Sequence, residues 1–485
     1  MSITSALANA VTGLTAASRA AELVSNNVSN AMTEGYGRRE IALSARSLGG
    51  TGAGVQVAGV SREVDAMVIR DRRLADAAVG QGAIRSGFLD RLGQLTGAPD
   101  DPASLSGRIA AFEAALTTAA SRPDATVRLQ GILDAAGALT RTVNTISDGI
   151  QAERAAADAD IARQVADLDR GLREVQSLNA QILRLNPAER EGTALLDQRQ
   201  RVIDRIAAIV PLREIPRENG TVALYTVTGA GLLDGRAATL SFTPTPVITP
   251  DMTLAAGSLS GIALNGVEIR TTGAFSPLAG GSLAAAFAVR DDLSVQAQTR
   301  IDGFARDILD RFQSAAVDPS LAPGAAGLFT DGAGAFDPLD EEGLASRLSV
   351  NALADPARGG ELWRLRTGLG AAAPGPVGDA GLLTALATTA AAPRVPASAA
   401  LPAVSASLAG LAAEVQSLTS RDGLTMESEL GFARARRDTL LALERRGGVD
   451  TDQEMQKLLL IEKAYAANAR VVATIDSLIA RLLEI

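Results

Sequence analysis

The residue types that most often perform catalysis or bind metals are absent from this 485-residue sequence. It has no histidine and no cysteine, which excludes imidazole bases, thiolate metal ligands and disulfides. Carboxylates are then the main candidates for chemistry. They occur as adjacent pairs at Asp100–Asp101 and Asp291–Asp292 and as a denser group of Asp337, Asp340, Glu341 and Glu342. Adjacent acids on a helix point in different directions, so we expect solvated or capping side chains rather than an acid–base pair.

Two loops that could hold a ligand lack the spacing that binding requires. Asp331, Asp337 and Asp340 could offer oxygens to calcium, but they do not follow the ligand order of an EF-hand loop. The glycines between Gly52 and Gly59 match neither the dinucleotide nor the phosphate-loop pattern. The sequence therefore predicts no catalytic residue, no metal and no cofactor.

Composition excludes further classes of function. The net charge is −9 and no basic cluster is interleaved with aromatic residues, so we expect no nucleic-acid binding. No apolar run reaches about 18 residues, and Met1 to Ala10 lacks the features of a cleavable signal peptide, so we expect no membrane insertion. Aromatic residues make up only 3% of the chain, which favours helix-packed aliphatic cores over a large ligand pocket.

The strongest pattern is an apolar stripe at each end of the chain, stepping alternately by four and three residues. This heptad spacing predicts a coiled-coil seam on each terminal helix and therefore assembly with another helix. Thr451 and Glu454 have the spacing of a capping box at the start of the second helix, and Asn468 is the polar seam residue expected to fix its register. The N-terminal seam comprises Ile3, Leu7, Ala10, Leu14, Ala17, Ala21, Val24 and Val28, and the C-terminal seam comprises Leu458, Ile461, Tyr465, Asn468, Val472, Ile475, Ile479 and Leu482.

An Asn-rich exit follows the first seam and ends in a Gly-Tyr pair before a basic residue. Its characteristic positions are Asn26, Asn27, Asn30, Gly35, Tyr36 and Arg38. This run resembles the signature of the bacterial flagellar axial proteins, the family of rod, hook and hook-associated subunits. Met32 and Glu34 depart from it, since small residues or proline are more usual there. Together with the seams, Asn26, Asn27, Asn30, Gly35 and Tyr36 form the predicted assembly interface.

Further segments extend the resemblance along the chain. Gly52 to Asp65 is similar to the strand and turn that follow the signature in those subunits. The passage from Leu195 to Tyr225, the helix from Leu283 to Phe312 and the stretch from Lys457 to Ala469 resemble the family members that form the first junction between hook and filament.

Periodicity predicts a mainly α fold with a smaller β region and discontinuous layered domains. Helical patterns run from Val64 to Ile209, with breaks at 97–102, 121–123 and 186–187, and return at 283–313 and at 403–446 with an interruption near Gly423. Short strands are expected at 222–227 and 237–242. The expected division is a terminal coiled-coil domain (1–60 with 447–485), a helical bundle (61–215 with 280–318 and 403–446), a β-rich region (216–279) and a loop-rich outer region (319–402).

The resemblance implies a structural flagellar subunit that joins hook to filament by polymerising through its terminal helices. It implies four partners: other copies of the chain in a ring or short helical layer, the hook protein, a second junction protein and an export chaperone. It also implies an extracellular place in the flagellum, reached by the flagellar type III route without a cleaved signal peptide. Three alternatives remain: a hook or rod subunit, a secreted cell-wall-degrading enzyme, and a general coiled-coil adaptor.

Overall fold

A computed structural model describes residues 3–48, 51–184, 191–273 and 275–483. Its helices are α1 (Ile3–Ser29), α2 (Ala66–Thr96), α3 (Leu105–Ser121), α4 (Thr126–Arg184), α5 (Glu191–Ile209), α6 (Gly281–Ala288), α7 (Ser294–Phe312), α8 (Leu344–Arg347), α9 (Arg364–Thr367), α10 (Gly381–Ala391), α11 (Leu408–Arg446) and α12 (Thr451–Leu483). Its strands are β1 (Arg38–Leu48), β2 (Thr51–Glu63), β3 (Leu212–Pro216), β4 (Val222–Thr226), β5 (Gly231–Asp234), β6 (Arg236–Ala237), β7 (Leu240–Ser241), β8 (Ile262–Leu264), β9 (Val267–Ile269), β10 (Phe329–Asp331) and β11 (Leu348–Val350). The fold is mainly helical with small antiparallel sheets, which confirms the predicted fold class.

The two ends of the chain pack against each other as an antiparallel helix pair, α1 with α12. Asn27 near the end of α1 contacts Glu454 near the start of α12, whereas Gly13 lies opposite Asn468. The β1–β2 hairpin packs along α1, where the Val55 amide donates to the Thr12 hydroxyl at 3.3 Å. Helix α1 therefore lies between α12 and the hairpin.

One helix, α4, connects the two hydrophobic cores of the rest of the molecule. It has 59 residues, which corresponds to a length of about 90 Å. Its first half enters a core formed with α2, α3, α7, α10 and α11, where the rings of Phe112, Phe312 and Phe329 meet at 5.4 to 5.8 Å between centroids. Its second half packs with α5, α6 and the strands β3 to β9 in the other core.

The β region consists of two small antiparallel sheets. One has the strand order β3-β4-β5-β6, and the other has the order β7-β8-β9. Asn265 and Gly266 connect β8 to β9 with positive φ at both residues, which is the backbone that a tight two-residue hairpin requires. The predicted strand at 222–227 is β4, whereas the single strand predicted at 237–242 is divided between β6 and β7.

The predicted helical segments are present, with two differences. Helix α11 passes through Gly423 without interruption, because packing along α2 outweighs the cost of about 1 kcal/mol for one glycine in a helix. The loop-rich segment 319–402 contains β10, β11 and α8 to α10, and its Phe329, Leu344 and Leu383 enter the same core as α3 and α4. The helix break predicted at 186–187 lies outside the described residues.

Candidate assembly site

Asn27, in the last turn of α1, is the most completely bonded residue of the Asn-rich exit. Its side chain is 1% exposed. The amide nitrogen donates to the Arg39 carbonyl oxygen and to Glu454 Oε2, both at 2.9 Å. The amide oxygen accepts from the Tyr36 hydroxyl at 2.9 Å and from the Arg39 backbone N–H at 3.0 Å. An aspartate or leucine could not form this set of two donated and two accepted bonds.

Glu454 attaches the start of α12 to this exit. Its carboxylate is buried and accepts from Arg38 Nε at 3.1 Å, from Lys457 Nζ at 3.3 Å and from Asn27. The capping box predicted at Thr451 and Glu454 is therefore wrong. Asp450 caps α12 instead, because its Oδ1 accepts from the backbone amides of Asp452 and Gln453. The Glu454 side chain is then available for the contact with α1.

Asp197 on α5 connects the same exit to the helical part of the molecule. Its Oδ1 accepts from the Gly37 amide at 3.0 Å and from Arg62 Nε at 2.6 Å, and its Oδ2 accepts from the Arg39 guanidinium at 3.2 Å. Arg62 also bonds the Gln200 side chain on α5. The two sequence motifs that resemble the axial family therefore contact each other directly, although about 160 residues separate them. We call Asn27, Arg38, Arg39, Asp197 and Glu454 the polar latch.

Tyr36 and Gly35 shape the turn beneath the polar latch. Burial raises the pKa of Tyr36; the Arg39 guanidinium, 4.9 Å from the ring centroid, opposes this effect, and the nearby carboxylates add to it. The phenol therefore stays protonated and donates to Asn27. Gly35 has φ of +74°, and a Cβ there would lie 2.6 Å from Arg201 Cγ, so this position requires glycine. Asn30 acts locally, donating to the Asn26 carbonyl oxygen at 2.9 Å.

The predicted seam residues mostly lie between the paired helices. Ala10, Ala17, Val24 and Ile475 are buried. Leu7, Leu14, Ala21, Val28, Leu458, Ile461, Asn468, Val472 and Ile479 are half-buried, whereas Ile3, Tyr465 and Leu482 are exposed. Asn468 does not bond across the seam but donates to the Ala464 carbonyl oxygen of its own helix, so Gly13 provides the space for it.

Helix α12 carries a second apolar stripe that the sequence analysis missed. Leu460, Val471 and Leu478 are exposed at 66%, 44% and 45%. With Ala464, Ala467 and Thr474 between them, they step by four and three residues like the first seam. The heptad spacing of this second stripe is visible in the sequence, because both stripes lie within the same 33 residues of α12.

Several of the acidic residues considered for chemistry are used in local contacts. Asp291 pairs with Arg290 at 2.8 Å, Asp331 pairs with Arg347 at 2.7 Å, and Glu341 bonds Arg306. Asp101 accepts from the Ala103 amide before α3. Within the described ranges, no three acidic side chains are grouped as metal ligands would be. Among the helices described, none is both long and apolar enough to cross a bilayer.

Two protein-family models match this chain, one over the helical part and one over the C-terminal helix. The model for the flagellar hook-associated protein FlgK helical domain matches residues 89–318, which include the passage through α4 and α5. The model for the flagellar basal body rod FlgEFG protein C-terminal region matches residues 446–485, which contain α12.

Curated relatives carry one description. Flagellar hook-associated protein 1 of Salmonella typhimurium is 28% identical over 243 residues, covering 49% of this chain and 44% of the relative. The proteins of the same description from Escherichia coli and Bacillus subtilis are 26% and 25% identical, over 49% and 44% of this chain and 44% and 45% of their own lengths. The aligned part thus spans less than half the length of these relatives.

A solved structure of the flagellar hook junction protein FlgK from Burkholderia pseudomallei is also similar. It is 17% identical, with a TM-score of 0.44, over 54% of this chain and 47% of the other. The longer family model and the curated relatives describe hook-associated proteins, and the shorter family model describes rod proteins of the flagellum. Over about half of its length, the chain is therefore similar to flagellar hook-associated protein 1.

Proposed function

We propose that this chain is a structural subunit of the bacterial flagellum that joins hook to filament by polymerising through its terminal helices. The observation that carries this proposal is the second stripe of α12. One face of α12 packs on α1, while Leu460, Val471 and Leu478 on another face contact solvent. A helix with two heptad stripes and one partner has a surface that further helices can cover.

Assembly would use the terminal pair as a preformed unit. The polar latch holds the start of α12 against α1 and α5, so the outer stripe has a defined direction relative to the helical bundle. Full burial of one leucine or valine side chain stabilises by about 1.5–3 kcal/mol, so several such contacts per subunit can offset the entropy lost on association. We propose that the seam residues and the exit residues predicted from the sequence form the interface between subunits.

The partners follow from this function. We assign neighbouring copies of the chain to a ring or short helical layer, the hook protein to one side of it and a second junction protein to the other. An export chaperone would hold the chain before it leaves through the flagellar type III route to an extracellular place in the flagellum. Of the four divisions expected from the sequence, the terminal pair is the proposed assembly domain.

The alternatives have less support. A rod or hook subunit would account for α12, but the match to a hook-associated helical domain across residues 89–318 favours the junction. A cell-wall-degrading enzyme would need a pair of free carboxylates in a cleft, whereas Asp331 and Glu341 are engaged by Arg347 and Arg306. A general adaptor would leave the buried Asn-rich exit unexplained. We therefore propose no catalytic activity.

The test is replacement of the gene in its own bacterium. Wild-type chain should restore cell-attached filaments, and Leu460→Asp should leave hooks without filaments and release filament subunits into the medium. Val267→Asp is the matched control, because Val267 is equally exposed, at 67%, but lies on the distant β9. Electron microscopy counts filaments, and hydrogen exchange checks that both variants fold.

Normal filaments with Leu460→Asp would contradict the role of the second stripe. Normal filaments in the deletion strain itself would contradict the proposed function.

A further inference from the structure

A cleft with a basic rim lies where α2, α5 and β3 meet the base of the β1–β2 hairpin. Its volume is about 300 Å³. Ile69, Leu196 and Leu212 provide apolar walls, and Met67 at the side of the cleft is 64% exposed. The cleft is large enough for one long apolar side chain with a polar neighbour, and it is too small for a helix.

Positive charge dominates the lining. It contains Arg62, Arg70, Arg73 and Arg199 but only one acid, Glu214. Arg62 and Arg73 are paired with buried or half-buried acids, whereas Arg199 donates to the neutral oxygens of Asn179 and Gly220. Arg70 pairs with its chain neighbour Asp71 at 3.0 Å, and its side chain stays 53% exposed.

The electrostatics of the buried arginine agree with this imbalance. Burial lowers the pKa of Arg199, and the positive charges of Arg62 and Arg73 add to that effect, while Glu214 opposes it. A carboxylate placed at the rim would therefore meet the charge of Arg199, which donates to neutral oxygens, and the exposed side of Arg70.

The exit turn provides a surface of complementary chemistry. Met32 is 98% exposed, the highest value among the large apolar side chains whose exposure is described, and Glu34 two residues later is also exposed. Backbone bonds from the Thr33 amide to Asn30 and from the Tyr36 amide to Thr33 fix the turn, so its two side chains are presented without much loss of backbone entropy. Because Met32 is almost fully solvated, it does not occupy the cleft of its own chain.

We propose that Met32 and Glu34 of one copy dock into the basic cleft of a second copy, with Met32 between the apolar walls and Glu34 beside Arg70. This contact rests on the proposed function, since it is one contact of the polymer. The two surfaces differ, so the interface is heterologous, and each copy can offer its turn to one neighbour while receiving the turn of another. Such an interface generates a ring or a helical layer.

Cysteine cross-linking in isolated hook and junction particles tests the contact, and the chain has no native cysteine to interfere. Cells co-express two differently tagged full-length chains, one with Met32→Cys and the other with Met67→Cys. Oxidation should yield the mixed disulfide dimer at least about fivefold above either homodimer, since a disulfide requires Cβ atoms about 4 Å apart. Met32→Cys with Val267→Cys is the matched control pair. No excess of the mixed dimer, or a cross-link from Met67→Cys to a protein of different mass, would overturn the proposal.

Charge reversal gives an independent readout. Glu34→Arg should lower the number of cells with filaments on the order of tenfold, and the added Arg70→Glu should restore it. Glu268→Arg is the control, a charge reversal at another exposed glutamate, on β9. If the double variant is no better than Glu34→Arg alone while wild-type chain restores filaments, the contact is wrong and the proposed function stands. If wild-type chain restores nothing, the proposed function fails.

Discussion

Removing the Asn27 side chain should weaken the contact between the two terminal helices. Asn27→Ala deletes four hydrogen bonds in a site that is 1% exposed. Neutral bonds contribute about 1 kcal/mol each and a bond to a buried carboxylate about 2 kcal/mol. Only the bond to Glu454 joins the two helices, so we expect a loss of about 2 kcal/mol from the free energy that holds α12 against α1. The other three bonds, worth about 3 kcal/mol together, are lost from the exit turn.

Amide hydrogen exchange on the purified full chain measures this loss locally. Because 1.4 kcal/mol corresponds to a tenfold change in an equilibrium constant, protection of the α12 amides should fall by about thirtyfold, or to that of a free helix if the pair is less stable than this. The amides of α3 and the first half of α4 lie in a separate core and should keep their protection.

Two variants separate hydrogen bonding from packing. Asn26→Ala is the matched control, because only the backbone carbonyl oxygen of Asn26 accepts the bond from Asn30, and alanine retains that oxygen. Asn27→Asp keeps the volume but replaces the donor with a second carboxylate beside Glu454, so it should cost at least as much as Asn27→Ala. Wild-type protection of α12 in Asn27→Asp would refute the reasoning, since it would mean that side-chain volume alone holds the pair.

Four further variants test separate parts of the structure. Asp197→Asn should destabilise the latch by about 3 kcal/mol, read as a lower urea midpoint, because two guanidiniums lose their carboxylate. Burial raises the pKa of Asp302 to about 6, although the backbone amides of Gly343 and Ala345 oppose this shift. Because the unfolded carboxyl has its ordinary pKa near 3.8, the free energy of unfolding should rise by up to about 3 kcal/mol as pH falls from 6 towards 3.8. Asp302→Asn should flatten that part of the dependence of the urea midpoint on pH. Gly13→Val should separate the helices near Asn468, whose Oδ1 would lie 2.7 Å from the new Cβ, and increase exchange there. Ile475→Asp places a charge in the buried seam and should unpair α12 in the monomer, so circular dichroism should show lost helix before any assembly assay.

The helices and their ends were predictable because their signals are local. Pro123 and Gly97 lie between α2, α3 and α4, where the sequence indicates breaks, and the apolar period of the long segments depends only on neighbouring residues. Gly423 shows the limit of such reasoning. A glycine lowers helix propensity, but the long contact of α11 with α2 is a tertiary effect that no local pattern contains.

The contacts of the exit were less predictable than its residues. The Asn-rich pattern identified Asn27 and Tyr36, but nothing near them in the chain points to Asp197 or Glu454. Glu454 was interpreted as a capping residue because that is the use its spacing favours, and Asp450 meets the same need. Buried polar groups must find partners somewhere in the fold, but a single sequence does not say which partner is closest in space.

The polar latch lies at one end of the terminal helix pair, where it can fix the register of α12 against α1. An apolar heptad seam of small residues offers similar contacts when it shifts by one repeat, so the seam alone defines the register weakly. A shifted register would leave the buried Asn27 amide and the Glu454 carboxylate without each other, which costs several kcal/mol, and would move Asn468 away from Gly13. The latch therefore fixes the register of α12 within one chain, and a neighbouring subunit meets an outer stripe whose position is already determined.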